Sequence, residues 1–335
     1  LADQICLSTL LLSDADVRAA FDWSDAVAAL RTAYAGASSE AQFPPRTMAR
    51  GEGLWLRTLS GIMPGQAIMG AKLIAASPAA KAASYLIPLF DGQSMALVAL
   101  LDGNSITGFR TAATSALAAR RLSAQTSPRV AVIGSGFEAR THLEAMAQSG
   151  PMGHISVFSP RETSRTAFCE AMAAKDITVA AAQSAEAAVA DSDLVICAAR
   201  SRDETPTILG RWLRPGMTVI SIGSTLPEQR ELDPEAIARA DLIVADMVEE
   251  VAHDTGDMIA ARTAGVPFDD KLVSLCDVVS GARPGRTDPA QILLYKSVGA
   301  AIQDLAVAQL CMERARVAGI GTVIAAPVTP VAKGK

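Results

Sequence analysis

One segment constrains the fold of this chain more than any other: Arg129-Val-Ala-Val-Ile-Gly-Ser-Gly-Phe-Glu-Ala-Arg140. A β-branched apolar run ends in Gly134-Ser-Gly136-Phe-Glu-Ala139, and helix-forming residues follow. This is the G-x-G-x-x-A form of the dinucleotide fingerprint in its strand–turn–helix setting. Gly134 permits the tight turn out of the strand. Gly136 lacks the Cβ that would hold a pyrophosphate away from the backbone, and Ala139 is small enough for close helix–strand packing. The helix N-terminus then offers free N–H groups and a positive dipole end to phosphates. The motif alone is weak, but here it opens a long alternation of strand and helix patterns. That alternation predicts an α/β fold with a Rossmann-type, doubly wound parallel sheet.

Within this run, strands are expected at 130–133, 155–158, 177–180, 194–198, 218–222 and 242–245. Upstream, 14–41 reads as helical, with Asp14 and Asp22 as candidate caps and Trp23, Val27, Leu30 and Tyr34 at helical spacing. After Pro44-Pro45 the pattern turns to strands at 54–56, 69–74, 85–90 and 95–101, and Asp91-Gly92 is the clearest hairpin signal. These point to an antiparallel or mixed sheet, separate from the parallel one. An alanine-rich helix is expected at 106–122, capped by Asn104 or Thr107. The pattern at 292–318 reads as one helix ending at Gly319, too long for a sheet crossover. The expected organisation is a discontinuous α+β domain, 1–122 with 297–335, around a dinucleotide-binding domain at 123–296.

Composition narrows the partners. A net charge of −5 over 335 residues gives no electrostatic reason to expect nucleic acid or an anionic membrane. No apolar run approaches the length of a membrane span, and no basic stretch followed by an apolar core opens the sequence. Cys6, Cys169, Cys197, Cys276 and Cys311 show neither metal-ligand spacing nor a disulfide framework, which suits a reducing cytoplasm. Glu249, Glu250 and Asp254 fit no metal pattern and read as a solvated acidic face. His142 reads as structural or exposed and His253 as a solvated loop residue.

Further blocks then identify a resemblance. They are Phe43-Pro-Pro-Arg46; Met63-Pro64 with Gly70-Ala-Lys72-Leu; and Asp102-Gly-Asn-Ser-Ile-Thr107-Gly-Phe-Arg110-Thr-Ala-Ala-Thr-Ser115. The glycine loop follows, then Ile222-Gly-Ser-Thr-Leu-Pro227 with Arg230-Glu231-Leu232, and Lys296-Ser-Val-Gly-Ala-Ala-Ile-Gln-Asp304. Together these resemble the ornithine cyclodeaminase/μ-crystallin family of NAD(P)-binding proteins, in its imino-acid reductase-like branch. The resemblance implies a homodimer whose first domain binds substrate and forms the interface. It also implies a small amino- or imino-acid substrate.

By the same resemblance Arg46, Lys72 and Arg110 bind the substrate carboxylate. A guanidinium is a planar two-pronged donor to a carboxylate, and an ammonium adds a compact charge. Read without the family, three such cations are more simply surface ion-pair partners, although Lys72 interrupts the apolar run 69–74. Cofactor contacts are implied at Thr111, Gly134, Ser135, Gly136, Phe137, Glu138, Ser159, Arg161, Thr163, Ala198, Ser224, Lys296 and Gly299. The family often has glutamine where Glu138 stands. At the end of the second strand, an acidic residue would accept bonds from a ribose 2′-hydroxyl and select NAD. Ser159, Arg161 and Thr163 stand there instead, so NADP(H) is expected in preference to NAD(H). The alternative is that Arg161 merely starts the next helix.

The main departure from the family is Thr225. Cyclodeaminases carry an aspartate in this loop, and a threonine hydroxyl is no efficient base near neutral pH. The expected reaction is therefore NAD(P)H-dependent reduction of a small α-imino acid, such as a cyclic ketimine, or the reverse amino-acid dehydrogenation. Lys72, Arg110 and Thr225 are the expected catalytic positions, with no metal. The alternatives are an ornithine cyclodeaminase that recycles NAD and a non-catalytic dinucleotide- or ligand-binding protein.

Overall fold

The structure is a computed structural model that describes residues 8–36, 40–65, 67–199 and 204–331. Cys6 lies outside the described residues. In chain order the first elements are β1 (Ser8–Leu12), α1 (Asp14–Ala20), α2 (Trp23–Gly36), β2 (Thr47–Gly51), β3 (Leu54–Ile62), β4 (Ile68–Ser77), β5 (Ala82–Asp91), β6 (Leu97–Asp102) and α3 (Asn104–Leu122). Then come β7 (Val130–Ile133), α4 (Phe137–Ser149), β8 (Ile155–Phe158), α5 (Glu162–Ala173), β9 (Ala180–Ala181), α6 (Ala185–Ala190), β10 (Leu194–Cys197) and β11 (Thr218–Ser221). The last stretch holds α7 (Pro234–Arg239), β12 (Leu242–Ala245), α8 (Val248–Asp254), α9 (Gly256–Thr263), β13 (Leu272–Ser274), α10 (Leu275–Ser280), β14 (Leu293–Lys296), α11 (Ala301–Ala318) and β15 (Thr322–Ala325).

The chain forms two compact units: described residues up to Arg110 with those from Ala300 onward, and Thr111–Gly299. These boundaries differ from the expected 122/123 and 296/297. The first falls inside α3 and the second at Gly299, where φ is +88°.

The first unit carries a mixed sheet, ordered β15-β1-β6-β5-β4-β3-β2 among the described residues. β1 runs parallel to β6, and the other pairs are antiparallel. The Asp91 hairpin signal corresponds to a real turn. The Asp91 carboxylate accepts from Gln93 N, Ser94 N and Ser94 Oγ, an Asx-type closure that needs no regular ladder. The helix expected at 14–41 is two helices. α1 starts at a Ser13/Asp16 capping box and stops at Phe21, and Asp22 then caps α2 through Asp25 N.

Register on this sheet sets the site. Lys72 on β4 stands opposite Leu59 on β3, and Gly70 stands opposite Gly61. Residues directly opposite share a face, so the two glycines leave a hollow next to Lys72. Leu305 of α11 fills it. A Cβ on Gly70 would lie 3.0 Å from Leu305 and 2.4 Å from the Pro88 carbonyl oxygen.

The second unit is built on a sheet ordered β13-β12-β14-β11-β10-β7-β8-β9 among the described residues, with every pair parallel. β7, β10, β11 and β14 are buried along their whole length, as strands covered on both faces are. The helical reading of 292–318 is corrected here. Leu293–Lys296 is a strand between β11 and β12, and the helix begins only at Ala301. An apolar run this short carries no period that separates strand from helix. The Asp246 carboxylate then takes Ser297 Oγ and the N–H groups of Val298 and Gly299, which ends the strand. The strand expected at 177–180 shrinks to β9, because Ile177 N donates to Met172 O and closes α5 instead.

Gly70→Ala should lower stability by about 1–3 kcal/mol through overpacking against backbone. Gly51→Ala, with nothing within 4 Å of its Cβ, should change it by less than about 0.5 kcal/mol. Urea unfolding midpoints compare the two. Equal, small effects would contradict the close packing of α11 on this sheet.

Candidate active site and dinucleotide cavity

In the first unit, β4, α3 and α11 bring charged side chains into the interior. Lys72 is 1% exposed, Arg110 6% and Asp304 0%. Asp304 Oδ1 lies 2.7 Å from Lys72 Nζ and 3.0 Å from Arg110 Nε. Arg110 Nη1 donates to Gln303 Oε1 at 2.5 Å, and Gln303 Nε2 donates to the Tyr34 hydroxyl at 2.8 Å. The carboxylate holds the two cations together, and Gln303 fixes the plane of the guanidinium. Burial pushes the Lys72 ammonium down to about 7, with Arg110 and Arg46 adding repulsion and Asp304 opposing them. Lys72 and Arg110 thus share one fixed carboxylate, and Arg46 adds its charge to the surroundings of Lys72. Such a cluster favours a further anion and holds an amine that exchanges its proton near neutrality. Asp304, Gln303 and Tyr34 were not singled out from the sequence. The available signal was the polar pair Gln303-Asp304 inside the otherwise apolar segment Ala300–Ala308, a setting that solvated acids seldom occupy.

In the second unit, a cavity of about 910 Å³ opens above the glycine turn. It gathers Gly134, Ser135, Gly136, Ser159, Arg161, Thr163 and Ala198 from the expected cofactor positions. Gly134 has φ +112°, and a Cβ there would lie 2.5 Å from the Ala198 carbonyl oxygen. Gly136 is the N-cap of α4, no side chain caps it, and Gly136 itself lines the cavity. No Asp or Glu lines the cavity among the described residues. A glycine turn, an uncapped helix end and a donor-rich wall fit a dinucleotide. Arg140, Ser164 and Trp212 also line it and were not anticipated.

Other expected cofactor positions lie elsewhere in this unit. Thr111 begins the unit within α3. Phe137 is exposed, and the Glu138 carboxylate sits 3.8 Å from His142 Nδ1. Lys296 is buried, its ammonium 2.8 Å from Asp257 Oδ2 and donating to Ser221 Oγ. Gly299 N donates to Asp246. Ser224 Oγ donates to Gln229 O, and Thr225 N and Oγ1 both donate to Gln229 Oε1. The Thr225 hydroxyl is therefore tied into its own loop, and no carboxylate replaces it at that position.

Behind this loop lies a network that was not anticipated from the sequence. Glu231 accepts from Ser221 Oγ, Gly223 N and Ala199 N, while Asp257 accepts from the N–H groups of Glu231 and Leu232. Burial raises the Glu231 carboxyl, against the pull of Lys296, and also holds the Cys197 thiol well above its usual range. His142 is buried between Glu138 O and Ser115 Oγ, a structural role. His253 is exposed on α8 rather than on a loop. The acidic-face reading is corrected at Glu250, which is buried while Glu249 and Asp254 are exposed. Among the described residues no group of three His, Cys, Asp or Glu side chains could hold a metal ion, and no helix is long and apolar enough to cross a membrane.

Comparison with known proteins agrees with this architecture. The chain is 30% identical over 222 residues to ketimine reductase mu-crystallin of Mus musculus, an alignment covering 66% of each protein. It is similar to a structure of Thermococcus litoralis Delta(1)-pyrroline-2-carboxylate reductase in complex with NADH and L-proline. That likeness has 28% identity and a TM-score of 0.84, and covers 93% of this chain and 99% of the other. An archaeal alanine dehydrogenase dimer with bound NAD matches at 25% identity and a TM-score of 0.85, over 95% of this chain and 99% of the other. The model of the ornithine cyclodeaminase/mu-crystallin family matches residues 8–319, and the chain belongs to that family.

Proposed function

We propose that this protein is an NAD(P)H-dependent reductase of small α-imino acids, a cyclic ketimine such as a pyrroline-carboxylate being the representative substrate. The reverse direction is oxidation of the corresponding L-amino acid. The observation that carries this reading is the buried cluster of Lys72, Arg110 and Asp304, with Arg46 acting on Lys72. Two guanidinium groups beside a buried amine are the donors that suit one substrate carboxylate. Similarity to a pyrroline-2-carboxylate reductase and a ketimine reductase supports the substrate class.

In this reading Arg46 and Arg110 hold the carboxylate, and Asp304 and Gln303 hold Arg110 in place. When bound, the dinucleotide supplies hydride to the imine carbon. Imine nitrogen needs one proton on the way to amine, and Lys72 Nζ holds one that is exchangeable near pH 7. Thr225 contributes only a neutral hydroxyl. NADP(H) is the preferred cofactor, because donors and no acid line the described cavity at Ser159, Arg161 and Thr163. A homodimer is the assembly. Leu54, Leu56, Ile62 and Leu86 share the sheet face opposite Lys72 and are 60, 47, 41 and 42% exposed, and exposed apolar side chains gathered on one face suit a subunit contact. Cytoplasmic operation agrees with the free thiols Cys169, Cys197, Cys276 and Cys311.

Lys72→Met and Arg110→Met should each cost roughly 2–5 kcal/mol in kcat/KM for imine reduction, while dinucleotide affinity stays within about threefold. Near-normal efficiency in both variants would remove the site assignment.

The pH profile follows from the depressed ammonium. The reductive kcat/KM should fall as pH rises through about 7, because Lys72 then loses the proton it donates. Asp304→Asn removes the group that favours the charged form and should move this limb to lower pH. A profile flat from about pH 6 to about pH 9, a window that brackets the depressed Lys72 value and lies below the ordinary lysine range, would exclude Lys72 as donor.

Ornithine should release no ammonia with the native protein. Thr225→Ala should cost only about 0.5–1.5 kcal/mol in imine reduction, the contribution of a neutral hydrogen bond. Ammonia release from ornithine without net change in the dinucleotide would restore the cyclodeaminase reading. Tight dinucleotide binding without turnover on any imino acid would leave the binding-protein reading.

A further inference from the structure

Arg140, whose backbone N–H closes the first turn of α4 on the Gly136 carbonyl, is among the described residues the one part-buried arginine lining the dinucleotide cavity, and no described residue engages its side chain. Its Nε is shielded from solvent and has no hydrogen-bond partner, and its guanidinium makes no ion pair with a described residue. Elsewhere in this unit such arginines are saturated. Arg120 donates to Ser149 Oγ and to the carbonyls of Thr126, Pro151 and Met146. Arg286 donates to the carbonyls of Leu122, Met217 and Gln291. Arg165 donates to the Ser159 carbonyl at 2.6 Å and lies over the Phe158 ring. A shielded donor with no acceptor is unfavourable, more so when charged, so the Arg140 Nε is a donor suited to an anion.

The cavity supplies the place for it. Arg140 and Arg161 line it from α4 and from the N-cap of α5, Ser164 and Ala167 add the next turn of α5, and no carboxylate lines it among the described residues. The pyrophosphate of a dinucleotide has its own donors at the Gly134–Gly136 turn and the uncapped end of α4. Arg140 stands a turn beyond that end, on the side walled by α5. We propose that Arg140 is a specificity-determining residue that pairs with Arg161 to clamp a ribose 2′-phosphomonoester. A guanidinium pair matches a phosphate dianion in both charge and fork geometry. This inference rests on the NADP(H) reading and adds the residue that enforces it.

The test is calorimetric titration of the intact protein with 2′,5′-ADP and with 5′-AMP, for the native chain, Arg140→Met and Arg140→Lys. Native protein should bind 2′,5′-ADP the more tightly. Arg140→Met should lose roughly tenfold or more in 2′,5′-ADP affinity and less than about twofold for 5′-AMP, and Arg140→Lys should recover part of the loss. Equal losses for both ligands would assign Arg140 to the shared 5′-phosphate and overturn the proposal alone. So would an unchanged preference in Arg140→Met when the native chain prefers 2′,5′-ADP. Native binding of 5′-AMP as tight as 2′,5′-ADP would overturn the NADP(H) reading, and the clamp with it.

Discussion

The carboxylate of Asp304, buried between Lys72 and Arg110, is the interaction on which the rest of the first unit depends. Without it, two cations removed from water would face each other with no counter-charge, a strongly unfavourable arrangement. The carboxylate comes from a helix 232 positions away in sequence. It reaches Lys72 only because Gly61 and Gly70 let Leu305 sit against the sheet backbone. The charge pattern is thus set by packing. Two missing side chains on the strands position a third residue's neighbour over the amine. Burial and the two neighbouring arginines keep the Lys72 amine near its titration point, with Asp304 opposing them.

The second unit uses its acids differently. Glu231, Asp257 and Asp246 turn inward and accept backbone N–H groups at the ends of β10, β11 and β14 and in the segment before α7. Buried carboxylates therefore do the work of fixing the strand ends from which ligand-facing loops spring. Gly223 belongs to this scheme, since a Cβ there would lie 2.3 Å from Glu231 Oε1. The consequence for the cavity is compositional. Acid is concentrated behind the strand ends, and the open face is left to glycine, hydroxyls and guanidinium groups.

The parallel sheet and its glycine turn were legible in the sequence, because a β-branched strand, a glycine pair and a helix start are all local signals. Arg46, Lys72 and Arg110 were legible only through their resemblance to family blocks, since isolated cations carry no spacing rule. Asp304 and Gln303 were not, because their importance arises from tertiary approach to β4 and α3. β14 was misread for a related reason. Ile292 to Tyr295 is apolar throughout, and a strand buried on both faces shows no alternation. β9 failed in the opposite way: β-branched Ile177, Thr178 and Val179 look like a strand, yet Ile177 is spent on closing α5. Glu250 looked solvated by composition and is buried by its place on α8.

The pairing of β1 with both β6 and β15 sets an order on how the chain can be assembled. All strands of the nucleotide unit have been made once Lys296 has emerged, and the interior of that unit can close on what is already present. β1 is synthesised before any of them, yet one of its two edges stays unpaired until Thr322–Ala325 arrives. Until then β1 keeps an open edge, the kind of surface on which a nascent chain pairs with a neighbour. Among the described strands, the one that precedes all the others in sequence is the one that waits for the last of them.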